Sequence, residues 1–127
     1  MIILAIRTDS PVTELMLIND DAELARDVWE SGRTLASSLL SRIMTMCESN
    51  GQKLDGIGGV ICYEGPGSFT GLRIGIAVGN TLAYSNDAPI VGTSGTEWLS
   101  SGVEQLLAGE NTRLLLPKYG SEPNITM

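Results

Sequence analysis

The chain opens on five consecutive apolar residues, Ile2-Ile3-Leu4-Ala5-Ile6, the pattern of a strand buried on both faces. Thr8–Pro11 reads as a turn, and Thr13–Ile18 as a second strand closed by Asn19-Asp20-Asp21. Leu24–Trp29 alternates weakly, with Leu24, Arg26 and Val28 set against Ala25, Asp27 and Trp29, and suits a third strand. A helical period then takes over from Ser31 or Thr34 to Ser49 and stops at Asn50-Gly51. Its apolar positions, Leu35, Leu39, Leu40, Ile43, Met44, Met46 and Cys47, spread over about half the circumference. A helix with one buried side needs a stripe of only about 100°.

Ile57–Tyr63 predicts a fourth strand, and a second helix reaches about Tyr84. Pro89–Gly92 reads as a short fifth strand. Thr96–Leu107 reads as a third helix with Ser94 or Gly95 near its N-cap, and Thr112–Leu116 as a last apolar segment. Three strands followed by alternating helix and strand predict an α/β domain over residues 1–116. Its antiparallel meander continues into parallel strands with about three helices. Residues 117–127 read as an extended tail.

The joint between the fourth strand and second helix, Gly65-Pro66-Gly67-Ser68-Phe69-Thr70-Gly71-Leu72-Arg73-Ile74-Gly75, carries the strongest signal. Gly71, Gly75, Gly79 and Ala83 recur every fourth residue and form one smooth ridge, flanked by Leu72 and Ile76 on one side. Each interior glycine costs a helix about 1 kcal/mol relative to alanine, so the close approach of another backbone or a ligand must compensate. The turn could cradle a phosphate at the helix N-terminus, with Thr8, Asp9, Gly65, Gly67, Ser68 and Thr70 as candidates. The spacing fits neither the P-loop nor the Rossmann fingerprint. Ser68 also suits an N-cap. The ridge could instead meet the first helix within the chain, another subunit, or both. Together the two helices carry more apolar surface than one sheet covers, which favours a contact between subunits. Leu35, Leu39, Ile43, Met46, Gly71, Leu72, Gly75, Ile76, Gly79 and Ala83 are the candidate interface. On that reading Gly75→Leu or Gly79→Leu abolishes the contact and spares the fold.

Composition narrows the chemistry. The 127 residues are 43% hydrophobic and 18% charged, which suits a globular chain with a core. A net charge of −7 without a basic cluster argues against a direct, stable grip on nucleic acid. The chain contains no histidine, which removes imidazole bases and imidazole metal ligands together. Cys47 and Cys62 lie apart in apolar runs and read as buried thiols, so no metal site is expected. No signal peptide or membrane span is recognisable.

The eleven residues from Gly65 to Gly75 resemble, almost one for one, the signature of the TsaB proteins, also called YeaZ, a glycoprotease-like family of the ASKHA superfamily. Ile2–Ile6 resembles the family's first strand, Leu39-Leu40 and Ile43 its first helix, and Gly92, Ser94, Glu97 and Leu99 its next strand–helix junction. The resemblance extends over about residues 1–108. It implies a ribonuclease H-like lobe in a cytoplasmic protein that takes part in making threonylcarbamoyladenosine at position 37 of tRNA. Such proteins are implied to be inactive paralogues without a cofactor. They bind and activate a TsaD-like transferase through a helical bundle, a TsaE-like ATPase joins them, and the same helices support homodimers. The alternative is a minimal nucleotide-binding lobe with weak ATPase or phosphoryl-transfer activity.

Several residues depart from the family pattern. Arg7 stands in the acidic place of the first turn, Leu35 in that of a helix-one histidine, and Glu64 precedes Gly65 where a basic or neutral residue is common. Typical members have a second lobe, and Pro117-Lys118-Tyr119-Gly120-Ser121 resembles the family's C-terminal tail with serine in place of arginine. These departures weaken a nucleotide role. They point to an inherited ligand loop retained to start and shape a docking helix.

Overall fold

A computed structural model describes residues 1–20 and 22–118. Most of the tail expected over residues 117–127 lies outside the described residues. The antiparallel meander is β1 (Ile2–Arg7), β2 (Val12–Asn19) and β3 (Ala22–Glu30). On the other side of β1, β4 (Gly59–Tyr63) pairs parallel to it and β5 (Ile90–Thr93) pairs parallel to β4. The sheet order is β3-β2-β1-β4-β5. The crossovers are α1 (Leu35–Ser49) and α2 (Phe69–Asn86), and α3 (Trp98–Leu107) follows β5.

The central place of β1 explains its unbroken apolar run. Leu4 and Ile6 enter the core beneath α1 and α2, together with Leu15, Leu17, Val60 and Cys62. Ile3 and Ala5 face the other way, toward Trp98 and Leu106 of α3, with Met16, Ile18 and Ile61. Both faces of the central strand β1 are therefore buried, the first under two helices and the second under one of ten residues, while β3 is largely exposed.

Several boundaries move for local reasons. A 3-10 turn at Gly32–Thr34 precedes α1. Another at Leu54–Gly56 delays β4, and Asn86 Nδ2 donates to the carbonyls of Leu54 and Ile57 at 3.0 and 3.1 Å, tying this turn to the end of α2. The N-cap position of α3 is Glu97, not Ser94 or Gly95, because the Ser94 hydroxyl donates instead to the Gly65 carbonyl. Thr112–Leu116 forms no strand. Its Leu115 is buried, and the Asn80 side chain holds the Leu115 backbone by two 2.9 Å bonds, one given and one accepted.

Both thiols lie in the core under the helices. Burial, with a smaller contribution from the Glu64 charge, pushes the Cys62 thiol up from 9.0 to about 12. An unfolded chain ionises this thiol near its ordinary value, so between the two values the unfolded state holds fewer protons than the folded one. Stability is therefore lost as pH rises through that window. Urea unfolding followed from pH 9 toward 12 should show a falling midpoint, and Cys62→Ala should flatten the fall. In the native protein at neutral pH, a thiol reagent should modify neither cysteine faster than the chain opens.

Candidate functional site

The glycine segment begins where β4 ends. Ser68 caps α2, its Oγ accepting the Gly71 N–H at 3.4 Å. The Ser68 N–H donates to the Asp9 carbonyl at 3.1 Å, and Thr8 Oγ1 donates to the Gly71 carbonyl at 2.7 Å. The first turn of α2 thus sits directly on the turn that leaves β1.

The missing side chains allow that approach. A Cβ on Gly67 would lie 2.9 Å from the Asp9 carbonyl oxygen, and one on Gly71 would overlap the Thr8 carbonyl. At Gly75 it would overlap the Thr8 hydroxyl and stand 2.9 Å from its methyl group. At Gly79 it would stand 2.5 Å from Cys62 Sγ. The ridge is therefore filled by the chain's own first turn and fourth strand.

This corrects the expected interface. Leu35, Leu39, Ile43, Met46, Leu72, Ile76 and Ala83 are 0–6% exposed. Gly75 and Gly79 are also buried, and Gly71 is half-buried. Nine of the ten are thus buried within this chain and Gly71 lies against Thr8, so leucine at Gly75 or Gly79 would break the fold rather than spare it. The outward residues are Leu40 and Met44 of α1, 45% and 50% exposed, and Tyr84 of α2, 90% exposed. Ala77 is exposed beside half-buried Ile74 and Val78. The signal for Leu40 and Met44 was the excess width of the apolar arc on the first helix, since they are the part that overruns the buried stripe.

The six candidate phosphate-loop residues divide differently. Thr8, Asp9, Gly65, Gly67 and Ser68 converge, but their polar groups largely satisfy one another. Arg7 grips the Asp9 carboxylate through two bonds of 2.8 and 3.2 Å, and its guanidinium lies 4.0 Å over the Tyr63 ring. The Asp9 hydrogen bond is the leading cause that holds the Arg7 pKa above its ordinary value. Glu64 is mostly buried and pairs with Lys118 Nζ at 3.2 Å. The Lys118 N–H donates to the Glu64 carbonyl at 2.6 Å, and the Lys118 carbonyl closes over Gly65. Both cations at this corner are thus already paired. Thr70 stands apart, exposed on a small cleft of about 200 Å³ that Ser10, Ser31 and Ser68 also line. Among the described residues no group of three or more Cys, Asp or Glu side chains is placed to hold a metal ion.

The chain and its fold have counterparts. The family described as TsaD, tRNA N6-adenosine threonylcarbamoyltransferase, matches residues 30–112, more than half of the chain. Two curated relatives carry the name tRNA threonylcarbamoyladenosine biosynthesis protein TsaB. The one from Bacillus subtilis is 32% identical over 80% of this chain and 44% of its own length. The one from Escherichia coli is 30% identical over 90% of this chain and 52% of its own. The solved structure of YeaZ from Pseudomonas aeruginosa superposes with a TM-score of 0.70, at 23% identity, over 84% of this chain and 50% of that one. The fold is ribonuclease H-like, of the ASKHA type. The chain belongs to the TsaB/YeaZ family, and it spans about half the length of the curated relatives it matches.

The contact of Gly75 with Thr8 yields a test. Alanine at an interior helix glycine normally gains about 1 kcal/mol. At Gly75 the added methyl must displace Thr8 from its bond to Gly71, and overpacking of this kind costs about 1–3 kcal/mol. Gly75→Ala is expected to lower stability in urea unfolding, despite its helix propensity.

Proposed function

We propose that this chain is a non-catalytic subunit in the formation of threonylcarbamoyladenosine at position 37 of tRNA. In this reading it binds and activates a TsaD-like transferase through the outward sides of α1 and α2. The names of its curated relatives support the process. One observation carries the docking surface. The two neighbouring helices leave Leu40, Met44, Ala77 and Tyr84 exposed, while Arg73 is the only charged residue of α2. An apolar helical surface so poor in charge suits a helical bundle with a partner.

The non-catalytic role rests on the absence of histidine and the burial of both thiols. It also rests on the internal pairing of Arg7, Asp9 and Glu64 at the loop. With a net charge of −7, the tRNA is left to the partner. A TsaE-like ATPase completes the assembly, and a homodimer of this chain would use the same helical surface. No helix among the described residues is long and apolar enough to cross a membrane.

Co-elution of the purified chain with a folded TsaD-like protein of the same organism tests the proposal. The wild-type chain should form a stable complex. Leu40→Asp combined with Met44→Asp should weaken it at least about tenfold, near 1.4 kcal/mol, with an unchanged circular dichroism spectrum. Failure of the wild-type chain to co-elute would overturn the assignment. Retention of the complex by the double variant would move the contact elsewhere.

A further inference from the structure

A second surface lies on the opposite side of the sheet. There α3 packs over β4 and β5, and Gly102 lets it settle against Ile61. The helix turns Trp98, Gly102 and Leu106 inward. A neighbouring stripe at four-residue spacing, Leu99, Val103 and Leu107, lines a groove of about 390 Å³ together with Ile18 of β2. Leu99 and Val103 are half-buried, and Leu107 is 53% exposed. The stripe is set for anchors from another element, because three aliphatic side chains spaced i, i+4 and i+8 present a continuous apolar seam.

Charge indicates what fits the seam. Glu104 and Glu23 edge the groove. Glu23 is partnered by Arg26 at 2.8 Å, which leaves Glu104 as the leading rim charge. Glu97 and Glu110 flank the two ends of α3. From Ile74 to Thr112 the chain carries Asp87, Glu97, Glu104 and Glu110 and no Lys or Arg. The nearby cations are Arg26, held by Glu23 at the groove edge, and Arg7, which lies 5.8 Å from the Trp98 ring at the start of α3 and pairs with Asp9, so neither is paired with Glu104. A second copy of this chain would bring Glu104 toward its own image across a two-fold axis, and each copy carries a net charge of −7.

We propose that the α3 groove receives a basic amphipathic helix of a partner protein. Aliphatic anchors one turn apart seat between Ile18 and the Leu99–Val103–Leu107 stripe, and flanking lysines or arginines face Glu104 and the acidic ends of α3. This surface is separate from the α1 and α2 side, so two partners can be held at once. The mode is helix-in-groove recognition, with apolar contact supplying affinity and charge supplying orientation.

The probe is a fluorescein-labelled, 15-residue leucine–lysine peptide with leucines on one helical side, titrated into the full chain by fluorescence anisotropy. Saturable binding that weakens with salt is expected. Leu107→Asp should weaken it at least about tenfold, although the new negative charge would strengthen a purely electrostatic contact. Glu104→Gln should weaken it severalfold. Leu107 is half exposed, so the fold should persist, as circular dichroism would verify. Leu40→Asp with Met44→Asp should leave peptide binding unchanged, which separates this surface from the proposed transferase contact. No saturable binding, or binding that Leu107→Asp leaves equal or tighter, would overturn the proposal. Light scattering that shows a dimer dispersed by Leu107→Asp would give the groove to a second copy instead.

Discussion

The approach of α2 to the end of β1 is the constraint around which this structure is arranged. Thr8 lies under the helix, with its hydroxyl bonded to the Gly71 carbonyl and its side chain against Gly75. Two further contacts extend the seam, from Asp9 to the loop before the helix and from Cys62 to Gly79 one turn beyond Gly75. Three interior glycines cost the isolated helix about 3 kcal/mol in propensity. Contact of the helix with the sheet offsets that cost and permits Leu72, Ile76 and Ala83 to be buried.

Because the glycine ridge is spent inward, the surface available to a partner is the remainder of the same two helices. Leu40, Met44, Ala77 and Tyr84 face out while the residues just before them, Leu39, Ile43, Ile76 and Ala83, are buried. The loop that begins α2 is likewise turned inward. The Thr8 hydroxyl, the Ser68 N–H and hydroxyl, and the Asp9 and Glu64 carboxylates are engaged within this corner, with Arg7 and Lys118 as the paired cations. Among the described residues the helix over the opposite sheet face is α3, and its apolar seam beside Glu104 lines a groove there.

Much of the architecture was legible from residue order. The buried run at Ile2–Ile6, the weak alternation of Leu24–Trp29 and the Asn50-Gly51 stop led to the right elements, since each reports a local period or turn. The family was legible in Gly65–Gly75. The direction of the glycine ridge was not. A helical wheel shows that Gly71, Gly75 and Gly79 share a side, but no periodicity tells whether a sheet or a partner lies beneath that side. Asn80 was missed for a related reason. It is a polar residue within α2, yet it satisfies the backbone of Leu115, thirty-five residues away.

The sequence by itself determined the elements, their order, the lack of imidazole chemistry and the surplus of apolar surface on the first two helices. Those properties follow from local spacing and residue type, which need no knowledge of neighbours. Only the tertiary structure decided which part of that surplus is interior and which part is surface. The decision rests on Thr8 and Cys62 reaching the glycines before any partner can. The pairing of Glu64 with Lys118 is decided the same way, since it exists only once the end of β4 meets the segment after α3.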